Sequence, residues 1–263
     1  MHAHVNGPWS QREPHEVREK HVSKLEKRKP GQFTADYLLN KAKEQYEKGE
    51  ASFKVNPKKA ALIVVDMLEE FTKPNWTPAW VPEATNQIPK IRDLLNTCRE
   101  VGCPVIYTYY AFRSDYLDMA TPFREARTPL DKLDDYDGPL LFQKESVDPA
   151  LKPDYQKDIL IPKPWYGSFT GTTLDYVLKN LKVDTVIICG TMTNYCCGTT
   201  AREAHARGYK VVFGSDINSS DDPQIQEAEL KTLRRGFALV LAKDQIKDAL
   251  HGKGPYAETC GVS

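Results

Sequence analysis

The stretch Asp184 to Ala204, DTVIICGTMTNYCCGTTAREA, constrains the fold more than any other part of the chain. Its first part is an apolar run ending in Gly190. A short run without polar alternation is the pattern of a strand buried on both faces, as in parallel sheets. From about Tyr195 onward there is no proline, and alanine recurs at 201, 204 and 206, which predicts a helix. The turn between strand and helix then sets Cys196 at or near a helix N-terminus. Exposed amides and the helix dipole at that place favour a thiolate. They also converge on one spot, which suits an oxyanion. The other reading of Cys196 and Cys197 is a pair of core thiols, since free cysteine is often buried.

A parallel strand needs helical crossovers, and the chain supplies them. Ala60-Ala-Leu-Ile-Val-Val-Asp66 predicts a second buried strand that ends in a carboxylate. Ligands of open α/β sheets bind at the carboxyl ends of strands, so Asp66 is a site candidate; an Asp capping the next turn is the structural alternative. A Pro-rich loop with Phe71, Trp76 and Trp80 follows. Thr85 to Val101 predicts an amphipathic helix with Ile88, Ile91, Leu95 and Cys98 on one face, and Pro104 to Tyr110 the next strand. Ile159 to Lys163 is a short apolar run. Thr172 to Leu181 predicts a helix, Lys210 to Asp216 a strand, Gln224 to Arg235 a helix and Phe237 to Leu241 a last strand. This alternation predicts an α/β fold: a doubly wound, mostly parallel six-stranded sheet with helices on both faces.

Three segments stand apart from that pattern. Residues 1–55 form a charged N-terminal arm, with 18 of 40 residues charged between 11 and 50. Val17, Leu25, Tyr37, Leu38 and Leu39 can anchor short helices there, packed on the domain or on a neighbouring subunit; a disordered leader is the alternative. Residues 111–158 are irregular and too long for an ordinary connection, which suggests a lid or a subunit contact. Residues 251–263 read as a loose tail, leaving 56–250 as the domain. Basic and acidic residues number 36 each, so no positive field is available for nucleic acid. Apolar runs fall short of a membrane span, and the start lacks a secretory apolar core. Six cysteines show no zinc spacing, and His2, His4, His15 and His21 are irregularly spread. A cytoplasmic protein with reduced thiols, no membrane and no cofactor is expected.

Four ordered segments carry a family resemblance. Gly190-Thr-Met-Thr-Asn-Tyr-Cys196-Cys-Gly-Thr-Thr-Ala201 resembles the nucleophile turn of the isochorismatase-like cysteine hydrolases, Gly-x-x-Thr-x-x-Cys-x-x-x-Thr-Ala. Ala-Leu-Ile-Val-Val-Asp66-Met is similar to their first strand. Lys163-Pro-Trp-Tyr-Gly-Ser-Phe-Thr-Gly-Thr-Thr-Leu174 is similar to their lysine segment. Gly208 to Asp216 resembles the strand after the nucleophile helix, and the likeness spans residues 58–245. Gly-Lys-Ser/Thr, Gly-x-Gly-x-x-Gly and Gly-x-Ser-x-Gly are absent where phosphate loops, dinucleotide folds and serine hydrolases need them.

The resemblance implies a triad of Asp66 as base, Lys163 as partner of the thiolate and Cys196 as nucleophile. It also implies an oxyanion site at the Met192 and Cys196 amides, a cis peptide at Thr191–Met192, and a homo-oligomer, dimer or tetramer. Metal-binding members use Asp-x-His and further histidines between the Asp and the Lys. Here that interval has no histidine, and Asp115, Asp118, Asp131, Asp134 and Asp135 fit a solvated loop, so no metal is expected. Without that anchor a pyridine amide is disfavoured, and the implied substrate is a small amide or carbamoyl (ureido) compound. Phe71, Trp76, Tyr110, Tyr166, Asn194 and Tyr195 are the candidate pocket residues, although each aromatic also fits a core. A vinyl-ether hydrolase and a non-catalytic binding protein are the alternatives. Two positions depart from the family pattern. Leu68 replaces a common Gln and removes an amide near Asp66; Gly167 replaces a common Ser and is expected to open the pocket floor.

Overall fold

The computed structural model describes residues 31, 33–111, 117–118 and 144–258. The expectations for residues 1–30, for most of 111–158 including Asp115, Asp131, Asp134 and Asp135, and for Cys260 lie outside the described residues. The chain divides into two units, 1–44 and 45–263. In the first, the described residues begin helix α1 (Ala35–Lys48), which has no buried residue, so Tyr37, Leu38 and Leu39 are exposed.

The second unit holds a six-stranded sheet in the order β3-β2-β1-β4-β5-β6, with every pairing parallel. The strands are β1 (Ala60–Val65), β2 (Val105–Tyr110), β3 (Ile159–Lys163), β4 (Thr185–Thr191), β5 (Lys210–Ser219) and β6 (Leu239–Leu241). The helices between them are α2 (Glu69–Thr72), α3 (Pro82–Val101), α4 (Leu174–Asn180), α5 (Gly198–Ala206) and α6 (Pro223–Gly236), and α7 (Lys243–Leu250) follows β6. Among the described residues, no helix is long and apolar enough to cross a membrane.

The two central strands explain why the sequence has unbroken apolar runs. Ala60, Leu62 and Val64 of β1 enter one core with Ile91, Leu94 and Leu95 of α3 and Ile246 and Leu250 of α7. Ala61, Ile63 and Val65 enter the other, with Leu174 and Leu178 of α4, Ala201 and Ala204 of α5 and Leu233 of α6. The pleat sends successive side chains to opposite faces, and both faces are covered, so neither parity tolerates a polar residue. β4 alternates the same way, with Ile187 and Cys189 on the first face and Val186 and Ile188 on the second.

Several elements differ from the sequence expectation. β5 continues past Asp216 to Ser219, because a bulge shifts the β4–β5 register between Ile188 and Gly190. Asn218 Nδ2 spans that bulge, donating to the carbonyls of Ile188 at 2.9 Å and Gly214 at 2.7 Å. Helix α7 was not expected. The tail is tied back rather than loose over its described part: Val55 bridges Ala257, and Val55 N donates to the Tyr256 carbonyl at 2.8 Å. The long segment after β2 returns at Lys144–Leu151, where Val147 bridges Leu68 and Asp148 N donates to the Met67 carbonyl at 2.9 Å.

Candidate active site

The sheet order reverses at β1, whose neighbours are β2 and β4, and a crevice opens at such a switch point. Asp66 follows β1, Lys163 ends β3, and Cys196 follows β4 by one turn. All three therefore sit at the carboxyl edge of one sheet. Asp66 Oδ2 lies 2.6 Å from Lys163 Nζ, and both side chains are fully buried. The Lys163 ammonium donates to the Trp165 carbonyl at 2.8 Å and lies 5.1 Å from the centre of the Tyr110 ring. Asp66 and Lys163 both act on the charge of the Cys196 thiol beside them. The approach of lysine to carboxylate is a close charge contact rather than an aligned hydrogen bond, which leaves the Asp66 oxygens with spare acceptor capacity.

The backbone explains how each group reaches this point. Asp66 has φ +47, a left-handed conformation that Asp tolerates better than most residues, and its amide donates to the Thr108 carbonyl at 2.9 Å. The chain thus leaves the ladder at the carboxylate itself. On β4, Gly190 has φ +129, and a Cβ there would sit 2.0 Å from the Val65 carbonyl oxygen. Glycine lets β4 press against the end of β1 and brings the nucleophile turn beside Asp66. The Thr191–Met192 peptide is cis, as the resemblance implies.

The turn after β4 is not the plain helix start expected from sequence. Thr193–Cys197 is a π-helical turn, closed by Cys197 N donating to the Met192 carbonyl at 3.0 Å, and α5 begins only at Gly198. The widened turn separates the two adjacent cysteines. Cys196 keeps 8% exposure and meets Asp66 and Lys163, whereas Cys197 is fully enclosed in the core beneath α5.

Charge in this pocket follows from burial. Burial raises the Asp66 pKa above the usual carboxylate value, and the Lys163 charge draws it only partly back. Burial opposes the Lys163 charge, but Asp66 and Cys196 outweigh it, and the ammonium is held more firmly than usual. The Cys196 thiol is pushed up to about 12 by burial, against the pull of Lys163. Asp66 and the Lys163 ammonium thus form a buried pair beside a neutral thiol. The helix-end thiolate expected from sequence is overridden by desolvation.

The remaining sequence candidates divide. Tyr166 and Tyr195 are half exposed and pair at 5.2 Å between ring centres. Asn194 Oδ1 accepts from Ser220 Oγ at 2.9 Å, tying the nucleophile turn to the end of β5. Phe71 packs against the core under α3, and the Trp76 ring carries Lys73 Nζ at 4.6 Å. Neither is brought to Asp66 by those contacts. Leu68 is wholly buried in the same core. Gly167 does not open a floor: a Cβ there would meet the Glu203 carboxylate at 2.2 to 2.5 Å. That carboxylate, carried by α5, accepts from Phe169 N at 2.9 Å and from the Thr170 hydroxyl. The sequence reading missed this clamp. A charged residue on the inward face of the nucleophile helix, seven residues after Cys196, was its available signal.

Among the described residues, no group of three or more His, Cys, Asp or Glu side chains is placed to hold a metal ion. Residues 60–245 match the family model described as the isochorismatase domain. Nicotinamidase 3 of Arabidopsis thaliana is 30% identical over 199 residues, covering 75% of this chain and 91% of that protein. The ureidoacrylate amidohydrolase RutB of Agrobacterium fabrum is 27% identical over 218 residues, covering 78% of this chain and 95% of its own. The crystal structure of a cysteine hydrolase from Pseudomonas syringae pv. phaseolicola superposes with a TM-score of 0.66 at 30% identity, covering 76% of this chain and 96% of that one.

Proposed function

The chain belongs to the isochorismatase family of hydrolases, and from that premise we propose that it is a cysteine-dependent amidohydrolase. Its substrate is a small linear amide or carbamoyl compound, cleaved through a thioester with release of ammonia or a carbamate. The observation that carries the reading is the fully buried Asp66–Lys163 pair at 2.6 Å, with the Cys196 thiol close enough for both charges to act on it. A raised carboxylate is a better base than an exposed one, and a fixed ammonium lowers the cost of the thiolate that forms.

Asp66 takes the thiol proton as Cys196 sulfur attacks the substrate carbonyl carbon. The Met192 and Cys196 amides receive the negative charge that develops on oxygen. The C–N bond breaks, and the leaving nitrogen takes the proton from Asp66. Water then attacks the thioester carbonyl with Asp66 again as base, and the thiol is restored. Tyr110, Tyr166 and Tyr195 supply flat walls for a planar ligand, and Asn194 one polar contact.

The relatives named for nicotinamide and for ureidoacrylate both act on amides, which supports C–N over vinyl-ether cleavage. The absence of histidine between Asp66 and Lys163 supports a linear substrate over a pyridine amide. The five described cysteines are unpaired, which fits a cytoplasmic setting, and the family resemblance favours a homo-oligomer. The test is an ammonia-release screen over small amides, ureas and carbamoyl amino acids beside nicotinamide and isochorismate. Turnover of a linear compound that disappears in Cys196→Ala supports the proposal. A clear preference for nicotinamide or isochorismate overturns the substrate class.

A further inference from the structure

Thr108, Ser168 and Thr200 are hydroxyl residues that no step of the hydrolysis uses, and each is at most 2% exposed. They come from three separate segments. Thr108 is on β2, Ser168 lies in the loop after Lys163, and Thr200 is one helical turn beyond Cys196. Ser168 Oγ lies 3.2 Å from Thr108 Oγ1 and 2.9 Å from Thr200 Oγ1. Thr200 Oγ1 accepts from Ser168 N at 3.0 Å and lies 2.7 Å from the Cys196 carbonyl oxygen. The Thr108 carbonyl in turn accepts the Asp66 amide. Every segment that brings a triad member is thus attached to this one cluster.

A hydroxyl has a single proton, which fixes the direction of the bonds. The Cys196 carbonyl can only accept, so the Thr200 proton goes to it. The Ser168 hydroxyl donates to Thr108 Oγ1, and the Ser168 amide donates to Thr200 Oγ1. The lysine loop is thereby tied to β2 through its hydroxyl and to the nucleophile helix through its amide, and Thr200 passes the tie on to the Cys196 carbonyl. A gap in such a buried network leaves a group unpaired.

We propose, on the reading of Cys196 as nucleophile, that this buried hydroxyl chain holds the Cys196 turn in register with Asp66 and Lys163. Thr108, Ser168 and Thr200 are positioning residues: they touch neither substrate nor the reacting sulfur. Thr200→Val removes the donor to the Cys196 carbonyl and the acceptor of the Ser168 amide. Thr200→Ser keeps all of them. Thr108→Val removes only the acceptor of the Ser168 hydroxyl and leaves the bond to the Cys196 carbonyl.

The experiment measures the iodoacetamide alkylation rate at Cys196 by peptide mass at neutral pH, in the full chain, with circular dichroism as the folding control. It needs no knowledge of the substrate. Thr200→Val is expected to alkylate about tenfold more slowly than wild type, the effect of one unmet buried hydrogen bond. Thr200→Ser is expected to recover to within about threefold, and Thr108→Val to fall between the two. Once a substrate is in hand, the same order is expected in kcat, with KM held to within about twofold. A folded Thr200→Val with the wild-type rate overturns the proposal, as does Thr200→Ser no better than Thr200→Val. If Thr200→Val does not fold, a wild-type rate in Thr108→Val overturns it instead. Wild-type Cys196 no more reactive than Cys98 overturns the nucleophile assignment and the chain's role together. Fast alkylation in both wild type and Thr200→Val overturns the chain's role alone.

Discussion

Replacing Lys163 with Met separates the two parts that the buried pair plays. The ammonium and the Asp66 carboxylate are 2.6 Å apart with no exposure on either side. Met keeps the length of the side chain and removes the charge, so Asp66 is left buried without its counter-ion. Breaking such a pair from one side costs about 3–5 kcal/mol. For a domain of this size that lowers Tm by about 6–20 °C. The loss depends on pH with a definite sign. Lys163 lowers the Asp66 pKa, so its removal raises further a value that burial has already raised. A carboxylate that binds its proton more readily when folded weakens the fold above its folded pKa. The penalty therefore shrinks as pH falls, and it is gone below the unfolded value. The double variant Asp66→Asn, Lys163→Met removes both charges and is expected to regain most of the lost Tm. Thermal melts of the wild type, both singles and the double, each at neutral and mildly acidic pH, complete the cycle. Additive losses in the double variant, or a Lys163→Met melt unchanged at neutral pH, refute this account of the site's electrostatics.

The remaining predictions use the same structure. With Asp66 as base, kcat/KM falls on acidification with an apparent pKa above the ordinary 3.8, and in Lys163→Met any residual activity falls at higher pH still; a pH–rate profile reads both. Gly190→Ala forces a Cβ against the Val65 carbonyl at a left-handed position; it is expected to lose more than about 3 kcal/mol or to fail to fold, as followed by urea unfolding. Gly167→Ser meets the Glu203 carboxylate and is expected to cost about 1–3 kcal/mol in the same assay, with Glu203→Ala in the same chain restoring part of it.

What the sequence made legible depended on the range of the interactions. β1 and β4 were readable because both faces of each strand are covered, which leaves an apolar run with no alternation. Asp66 and Cys196 were readable because each directly follows such a run, and Lys163 because it closes β3 between two prolines. The π-helical turn was not readable, since Tyr195 to Ala206 has the composition of an ordinary helix and the turn is set by contacts with β4 and α6. The extension of β5 was hidden by Ser215 and Asp216, polar residues at the bulge. Gly167 was misread because its neighbour Glu203 lies 36 positions away, and nothing local announces a carboxylate in that space. The hydroxyl chain failed the same way: Thr108, Ser168 and Thr200 are unremarkable singly and meaningful only once the sheet brings them together.

The central claim is that Cys196, and not its neighbour Cys197, carries the acyl group. Rapid acid quench during turnover of a substrate found in the ammonia-release screen, followed by peptide mass mapping, tests it directly. The account predicts an acyl adduct on Cys196, absent in Cys196→Ala together with all ammonia release, and present in Cys197→Ala. An adduct on Cys197, or full turnover by Cys196→Ala, contradicts it.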